Sequence, residues 1–563
     1  MRKALVAVAA LAVIVVAAGI YALVIKPQAP QPPPPTTAPS LQVLWESEPL
    51  VDKSWLIENG LYINAYSWMG WLKGCVEASP DGSLVAVATH KGEVYVFTCE
   101  GELVKKLSFE LGQVPYCLKF TPDSKYLVVG LSSRRGELLV YDVEDWSLAW
   151  RYEVPDDLLG ESNATEATIT KNPWLGNTVN FMAFDESGTM YLVASSRYVN
   201  PNKQYCVYKK VTVDLMEIYP EIKELYPQLE SYEVSLWTGM YFSRVLAVDL
   251  STWQVKWRWP SQGVARIFVP MVSVDPRGRY LALCTWLGFD PCDPHTWHGG
   301  IVALLDASTG ETLWRWSVPP RVPVFNKTSI WNGLGISDDA KYVVVEPSDG
   351  RVFVVDVEES IARGRAVVKW SASIMDPIEA EVLLIPKKGG ELSTTTSYIY
   401  AGTYFAGIVG DKVVPYGSAT YVTWWSPLYE RKPLIQHPNQ TKLFVLSLET
   451  GELLFVDKFN GKPMYGKVVP FAKSDSLLIG CIGNDWVSAD ASMAGVYAWD
   501  LEGPKSVARF LTLTPVKYGV PLDVAAAGDY VYVLVGPINL ATSETEPANI
   551  VGEYRLLALR LVT

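Results

Sequence analysis

Two patterns of hydrophobic and polar positions divide the chain. Residues 4–25, ALVAVAALAVIVVAAGIYALVI, run without a single charge. As a helix rising about 1.5 Å per residue they extend about 33 Å, the thickness of a bilayer's hydrocarbon core. The apolar stretch of a cleaved secretory signal is only about 7–15 residues, so the run predicts a retained transmembrane anchor over residues 1–26. Small residues at Ala17, Ala18 and Gly19 leave cleavage as the alternative. Arg2 and Lys3 precede the run and only Lys26 directly follows it. The positive-inside bias therefore expects a single-pass protein of the cell membrane, with a cytoplasmic N-terminus and an extracellular or periplasmic remainder. Residues 27–40, PQAPQPPPPTTAPS, lack the amide donors of helix or sheet. They predict an extended linker of roughly 40 Å at about 3.1 Å per residue.

From residue 41 the period changes to two. Tight acidic turns, such as Ser79-Pro80-Asp81-Gly82, Thr121-Pro122-Asp123-Ser124 and Asp275-Pro276-Arg277-Gly278, lead into short β-branched or aromatic runs. Pro, Asp and Gly supply the dihedrals and local hydrogen bonds of such corners. A third run often ends in Asp, and a fourth carries a central Trp at Trp150, Trp257, Trp314 and Trp370. Four short strands, repeated without helical periodicity, predict an all-β fold over residues 41–563: a β-propeller of about eight four-stranded blades. Innermost strands are expected to start near Cys75, Cys117, Phe181, Met271, Gly333, Ile378, Lys467 and Leu522. The last repeat shows only three strands, while residues 41–46, LQVLWE, carry the fourth-strand phrase with Trp45 in the tryptophan position. The N-terminal strand is thus expected to complete the last blade and remove its exposed edge. Each Trp of the series is expected to pack between neighbouring blades, burying roughly 150–250 Å².

Residues 302–316, VALLDASTGETLWRW, resemble the alanine–aspartate–threonine-glycine–tryptophan repeat of quinoprotein-like (PQQ-repeat) propellers. Residues 443–455, LFVLSLETGELLF, are similar, with Ser447 for Asp and Phe455 for Trp. The acidic turns and Trp499-Asp500 also resemble WD40-type repeats, without that family's glycine–histidine dipeptide. The resemblance implies a propeller, in a superfamily that holds quinone-dependent dehydrogenases and non-catalytic, membrane-tethered scaffolds of cell envelopes. The dehydrogenases carry an adjacent cysteine pair beside the quinone. None of Cys75, Cys99, Cys117, Cys206, Cys284, Cys292 and Cys481 has a cysteine neighbour, and no C-x-x-C-H for haem occurs. The chain therefore reads as a non-catalytic member needing no cofactor. A quinone- or metal-dependent oxidoreductase using the central funnel is one alternative, and a structural subunit of an envelope or filament assembly is another.

Long insertions concentrate on the face shared by second-to-third-strand loops and blade connections. On the opposite face the turns are short, with residues 387–397 as the exception. Scaffold-held loops are where binding residues usually sit. The insertions are rich in aromatics, and Trp174, Trp286, Trp297, Trp424, Trp425 and Trp486 are the candidate contacts for a protein, peptide or glycan. The competing reading buries these rings under their own loops as satellite cores. Residues 214–232 read as a short helix interrupted by Pro220 and Pro227. Asp290, Cys292, Asp293, His295 and His298 bring carboxylate, thiol and imidazole together as candidate metal ligands. Cys292 has a second reading as the disulfide partner of Cys284, and a third as part of an ordinary loop. Asn163, Asn326 and Asn439 head glycosylation acceptor triplets. With 48 basic against 60 acidic residues the net charge is −12, which excludes a general nucleic-acid footprint.

Overall fold

The structure, a computed structural model, describes residues 39–562 except 67–71, 73, 155–159, 163, 197–208, 215–216, 218–230, 232, 239–241, 263–264, 266–267, 287, 291–292, 299, 320, 322–327, 332, 387–388, 424–428, 441, 459–467, 471–475, 484–488, 504–505 and 515–516. The expected anchor at 4–25 lies outside the described residues, as does the linker up to residue 38. Among the described residues no helix is long and apolar enough to cross a membrane.

From Gly74 onward the chain lays down antiparallel four-stranded units in succession, the second and third joined by the pairing of Asn177 and Thr178 with Ser133 and Ser132, and the sixth enlarged to six strands. The innermost strands are Gly74–Ala78, Val114–Phe120, Asn177–Phe184, Val272–Val274, Leu334–Ile336, the second half of Ser393–Val409, Val468–Pro470 and Val520–Ala527. Each touches the next, and Val520–Ala527 returns to touch Gly74–Ala78, so the cycle is closed. That arrangement is a β-propeller. Its acidic turns fold as expected: the carboxylates of Asp81, Asp123, Asp185 and Asp339 accept from backbone amides two or four residues on, at 2.9–3.2 Å.

The ring closes with the N-terminal strand. Ser40–Glu46 runs antiparallel to Arg555–Val562, pairing Ser40 with Val562, Trp45 with Ala558 and Glu46 with Leu557. Trp45 then reaches forward to the first sheet, where its indole Nε1 donates to the Cys99 carbonyl at 2.8 Å. Trp257 does the same to Ala307 at 2.9 Å and Trp370 to Leu448 at 2.8 Å, each in the next sheet round the ring. The indoles lie against Gly101, Gly310 and Gly451; at Gly310, φ is +75° and a Cβ would stand 2.6 Å from the Trp257 ring. The turn there needs glycine both for its backbone and for the ring's approach. Two junctions differ. Trp253 occupies the turn of the third sheet, and Trp150 stacks on it at 5.8 Å. In the fifth sheet the helix Val357–Arg363 replaces the turn, so buried Trp314 packs on Val357 and Ile361, and its Nε1 has no hydrogen-bond partner among the described residues.

Nearer the axis, polar atoms link consecutive innermost strands. Asp523 accepts from the Val76 amide at 2.9 Å, and the Cys75 and Cys117 thiols donate to the Tyr116 and Val179 carbonyls at 3.2 and 3.1 Å. Asn180 donates to the Val269 carbonyl at 3.0 Å, and Ser273 accepts from the Ile336 amide at 3.1 Å.

The sixth sheet corrects one expectation. Its innermost strand does not begin near Ile378. Ile378–Pro386 pairs instead with the first half of Ser393–Val409, from Ile378↔Ile399 to Leu384↔Ser393, and on its other edge with Tyr429–Pro433. The second half of Ser393–Val409 pairs with Lys412–Val422 and is the innermost strand. Lys442–Ser447 covers only the Lys412–Tyr416 end of that partner. The sheet therefore extends beyond the ring as a fin on the elaborated face. The expected long turn on the plain face is the fin's tip, because one continuous β-patterned strand serves both fin and ring.

Replacing Trp45 with Ala removes the seam's indole contact and is expected to destabilise the full chain in detergent by about 2–4 kcal/mol in urea unfolding. Leu44→Ala, next to it but 42% exposed, is expected to stay within about 0.5 kcal/mol of the parent.

Candidate functional site

The elaborated face is built from several insertions. Between the second and third strands, the third sheet carries the hairpin Lys209–Asp214/Glu233–Thr238 and the fourth sheet carries Gly288–Asp290/Asp293–His298. The two hairpins touch. The short helix expected between residues 214 and 232 lies almost wholly outside the described residues. Ahead of the third sheet, helix Glu166–Lys171 starts at Thr165, whose side chain accepts from the Thr168 amide. It is held to the ring by His90, whose Nε2 meets the Thr170 carbonyl at 2.6 Å, and by the Thr170 hydroxyl, which accepts from the Gly112 amide at 3.0 Å.

Where the innermost strands begin on this face, aromatic rings from consecutive sheets meet. Trp331 is the hub. It lies 5.3 Å from Trp174, 5.6 Å from Phe268 and 5.8 Å from Trp286, and Trp174 meets Tyr116 edge-on at 5.5 Å. Offset and edge-to-face contacts of this kind contribute about 0.5–1.5 kcal/mol per pair beyond burial. Phe268 and Tyr116 are buried at 4% and 6% exposure, whereas the three indoles stay partly exposed. The cluster thus sets three partly exposed indoles beside two buried rings.

Of the six expected contacts, Trp174 and Trp286 are brought together through Trp331. Trp297 lies on the strand Asp293–His298, of which only the backbone is described. Trp424, Trp425 and Trp486 lie outside the described residues. The sequence reading missed Trp331, Phe268 and Tyr116. Their shared signal is position: each stands at or just ahead of the head of an innermost strand, as in the SIWNGLG segment before Leu334–Ile336.

The hairpin carrying the proposed metal ligands pairs Asp290 with Asp293 and Gly288 with His298. Cys292 lies outside the described residues, and Asp290, Asp293, His295 and His298 are described as backbone alone. Among the described residues no group of three His, Cys, Asp or Glu side chains could hold a metal ion. Cys284 is a free, fully buried thiol near the Met271 and Ile330 carbonyls, and burial pushes its pKa far up. Asn163 and Asn326 lie outside the described residues. Asn439 is a structural residue of the fin's root: its side-chain nitrogen donates to the Ile374 carbonyl at 2.8 Å and its oxygen accepts from Lys442 at 2.9 Å.

That root, between the fifth and sixth sheets, is a polar core. Buried Asp349 is gripped by the Arg351 guanidinium at 2.7 and 3.1 Å and by the Thr328 hydroxyl at 3.0 Å. Arg321 donates to the Asp349 carbonyl at 2.8 Å and to Asp376. His437 contacts the Asp376 carbonyl through Nε2 at 2.8 Å and accepts the Asn439 amide on Nδ1 at 3.1 Å, so the ring is neutral, and burial holds its pKa down. Glu346 stands apart. It is 2% exposed, and neither carboxyl oxygen has a hydrogen-bond partner among the described residues. The nearby Thr403 hydroxyl donates to the Pro347 carbonyl instead. Burial, reinforced by the Asp349 carboxylate and only partly opposed by Thr403, raises Glu346 well above the ordinary 4.5.

No family model matches the chain, and no curated protein matches it. Among solved structures, BamB from Moraxella catarrhalis is similar at 12% identity and a TM-score of 0.42, over 86% of this chain and 95% of that one. The C-terminal WD40 domain of Sif2 is similar at 9% identity and 0.47, over 93% and 99%. The computationally designed Ika8 protein is similar at 10% identity and 0.46, over 92% and 100%. At these identities and scores no partner, substrate or activity passes from them to this chain.

Glu346 sets a pH test. The folded state keeps its proton above pH 4.5 while the unfolded chain releases it, so stability falls as pH rises from 4.5 towards the raised folded value. Glu346→Gln is expected to remove that decline, about 1.4 kcal/mol per pH unit across the window. Urea midpoints of both proteins at pH 5 and pH 8 read it out, with the variant gaining on the parent at the higher pH.

Proposed function

We propose that the protein is an eight-bladed propeller, anchored in the cell membrane by residues 4–25, whose ring stands outside the cytoplasm and serves as a non-catalytic binding scaffold. It grips a protein, peptide or glycan at the indole cluster of Trp174, Trp331 and Trp286. The observation that carries this reading is the cluster itself: three partly exposed indoles from neighbouring sheets, beside two buried rings, on the face that holds the insertions. Rings of this size give contact area at low cost in conformational entropy, which is why they dominate binding hot spots. Two features support a scaffold over an enzyme of the quinone type. No cysteines adjoin in the chain, and at the fin's root Asp349 and His437 are engaged by neighbouring groups, with Glu346 as the exception. Ser40 enters the ring at the plain face, beside Val562, which leaves the cluster clear of the chain's own point of attachment.

A photo-cross-linking amino acid at Trp286 in the full chain, in living cells, is expected to trap a discrete adduct that Trp174→Ala and Trp331→Ala abolish. The same probe at Leu103, 51% exposed on an outermost strand, is expected to trap none. Equal adducts at both positions, or none at Trp286, would remove the binding role. Topology is read separately with Leu392→Cys, 63% exposed: a membrane-impermeant maleimide is expected to label it on intact cells above the unsubstituted background.

A further inference from the structure

A cavity of about 360 Å³ opens at the seam of the ring, away from the indole cluster. Its walls come from both ends of the chain: Glu46 and Lys53 from the N-terminal segment, Lys517, Tyr518, Glu553 and Arg555 from the last sheet and its approach. The volume is at the small end of the roughly 300–1,000 Å³ common for ligand sites.

Charge marks it out. The chain as a whole carries −12, yet this wall carries three cations against two carboxylates. Arg555 and Glu553 hold each other at 2.6 Å, and Arg555 also donates to the Ser47 carbonyl at 2.7 Å, so both are committed to the wall. Glu46 is exposed, with Arg555 3.9 Å away and the Tyr518 hydroxyl beside it, whose pKa burial and this carboxylate raise. Lys53 is anchored by one bond to the Ile550 carbonyl at 3.1 Å, which leaves two of its three donors. Lys517 is exposed at the rim. Two ammonium groups thus have donors left for a guest, and Glu46, already facing Tyr518 and Arg555, keeps further acceptor positions.

We infer that the seam cavity binds a small zwitterion of dipeptide size, its carboxylate between Lys53 and Lys517 and its ammonium on Glu46. Such a guest joins residues 46 and 53 to residues 517–555, the two chain ends that close the ring. Binding therefore stabilises the closed state by simple linkage. The site is independent of the indole cluster and of any partner held there.

The test uses the full chain in detergent micelles and L-alanyl-L-alanine as the probe, followed by titration calorimetry and by the thermal unfolding midpoint. Dialanine is expected to bind and to raise the midpoint. Its N-acetyl and C-terminal amide derivatives, each lacking one charge, are expected to bind at least about tenfold more weakly. Lys517→Ala, at an exposed position, is expected to keep the unliganded midpoint and lose about tenfold in dialanine affinity. Glu46→Gln is expected to erase the preference for dialanine over its N-acetyl derivative, a readout that does not depend on absolute stability. No heat up to about 10 mM dialanine, equal affinity for the three probes, or undiminished binding by Lys517→Ala each overturns the assignment. Trp331→Ala is expected to leave dialanine affinity unchanged, which separates this site from the proposed scaffold function.

Discussion

A sheet that is apolar on both faces can exist in water only between two others, and a row of such sheets has no stable end. Closing the row into a ring is the one arrangement that gives every sheet two neighbours, and the N-terminal strand performs the closure here. Ser40–Glu46 supplies the strand that the last sheet lacks, and Trp45 extends from it to the first sheet. The seam is thereby held by a ladder of backbone bonds on one side and an indole on the other. Circular closure also explains why Val76 and Asp523, far apart in sequence, exchange a hydrogen bond at 2.9 Å near the axis.

The junctions whose outermost strand carries a Trp share one mechanism with local variants. An outermost-strand Trp lies on a glycine turn of the next sheet and donates to a carbonyl there. Where the glycine is absent, the contact adapts instead of disappearing. Trp253 presents a flat ring in place of the glycine, and a helix presents Val357 and Ile361. The second solution leaves the Trp314 N–H without an acceptor among the described residues, a cost of about 1–3 kcal/mol offset by full burial of the ring. Hydrophobic area dominates these junctions, and the hydrogen bond adds direction.

Much of this was legible in the chain because it is local and repeated. The acidic turns bond within a few residues, and the tryptophan positions recur, so Trp45 identifies its own strand as the fourth of the last sheet. The fin was not legible. Residues 393–397 read as part of a long turn, and nothing in the alternation of Ser393–Val409 marks Ile399 as the point where one partner gives way to another. The aromatic cluster was legible in part. Trp174 and Trp286 stood out as loop aromatics, whereas Trp331 and Phe268 lie just ahead of innermost strands and outside the long insertions. What joins them is the approach of sheet heads round the axis, a property of the ring and not of any segment.

The same geometry argues for where variation is tolerated. Polar contacts between innermost strands, and indoles at five of the sheet junctions, hold neighbouring sheets together away from the second-to-third-strand loops. Hairpins can be inserted there without disturbing either set of contacts, as the third and fourth sheets show. The fin is the informative exception, because it grows out of an innermost strand and so brings polar groups into the interior. That is why its root needs Asp349 gripped by Arg351, His437 held neutral between Asp376 and Asn439, and Asn439 spent on Ile374. An extension placed on the load path of the ring has to be rooted by buried hydrogen bonds, and at Glu346, which has none among the described residues, burial raises the pKa instead.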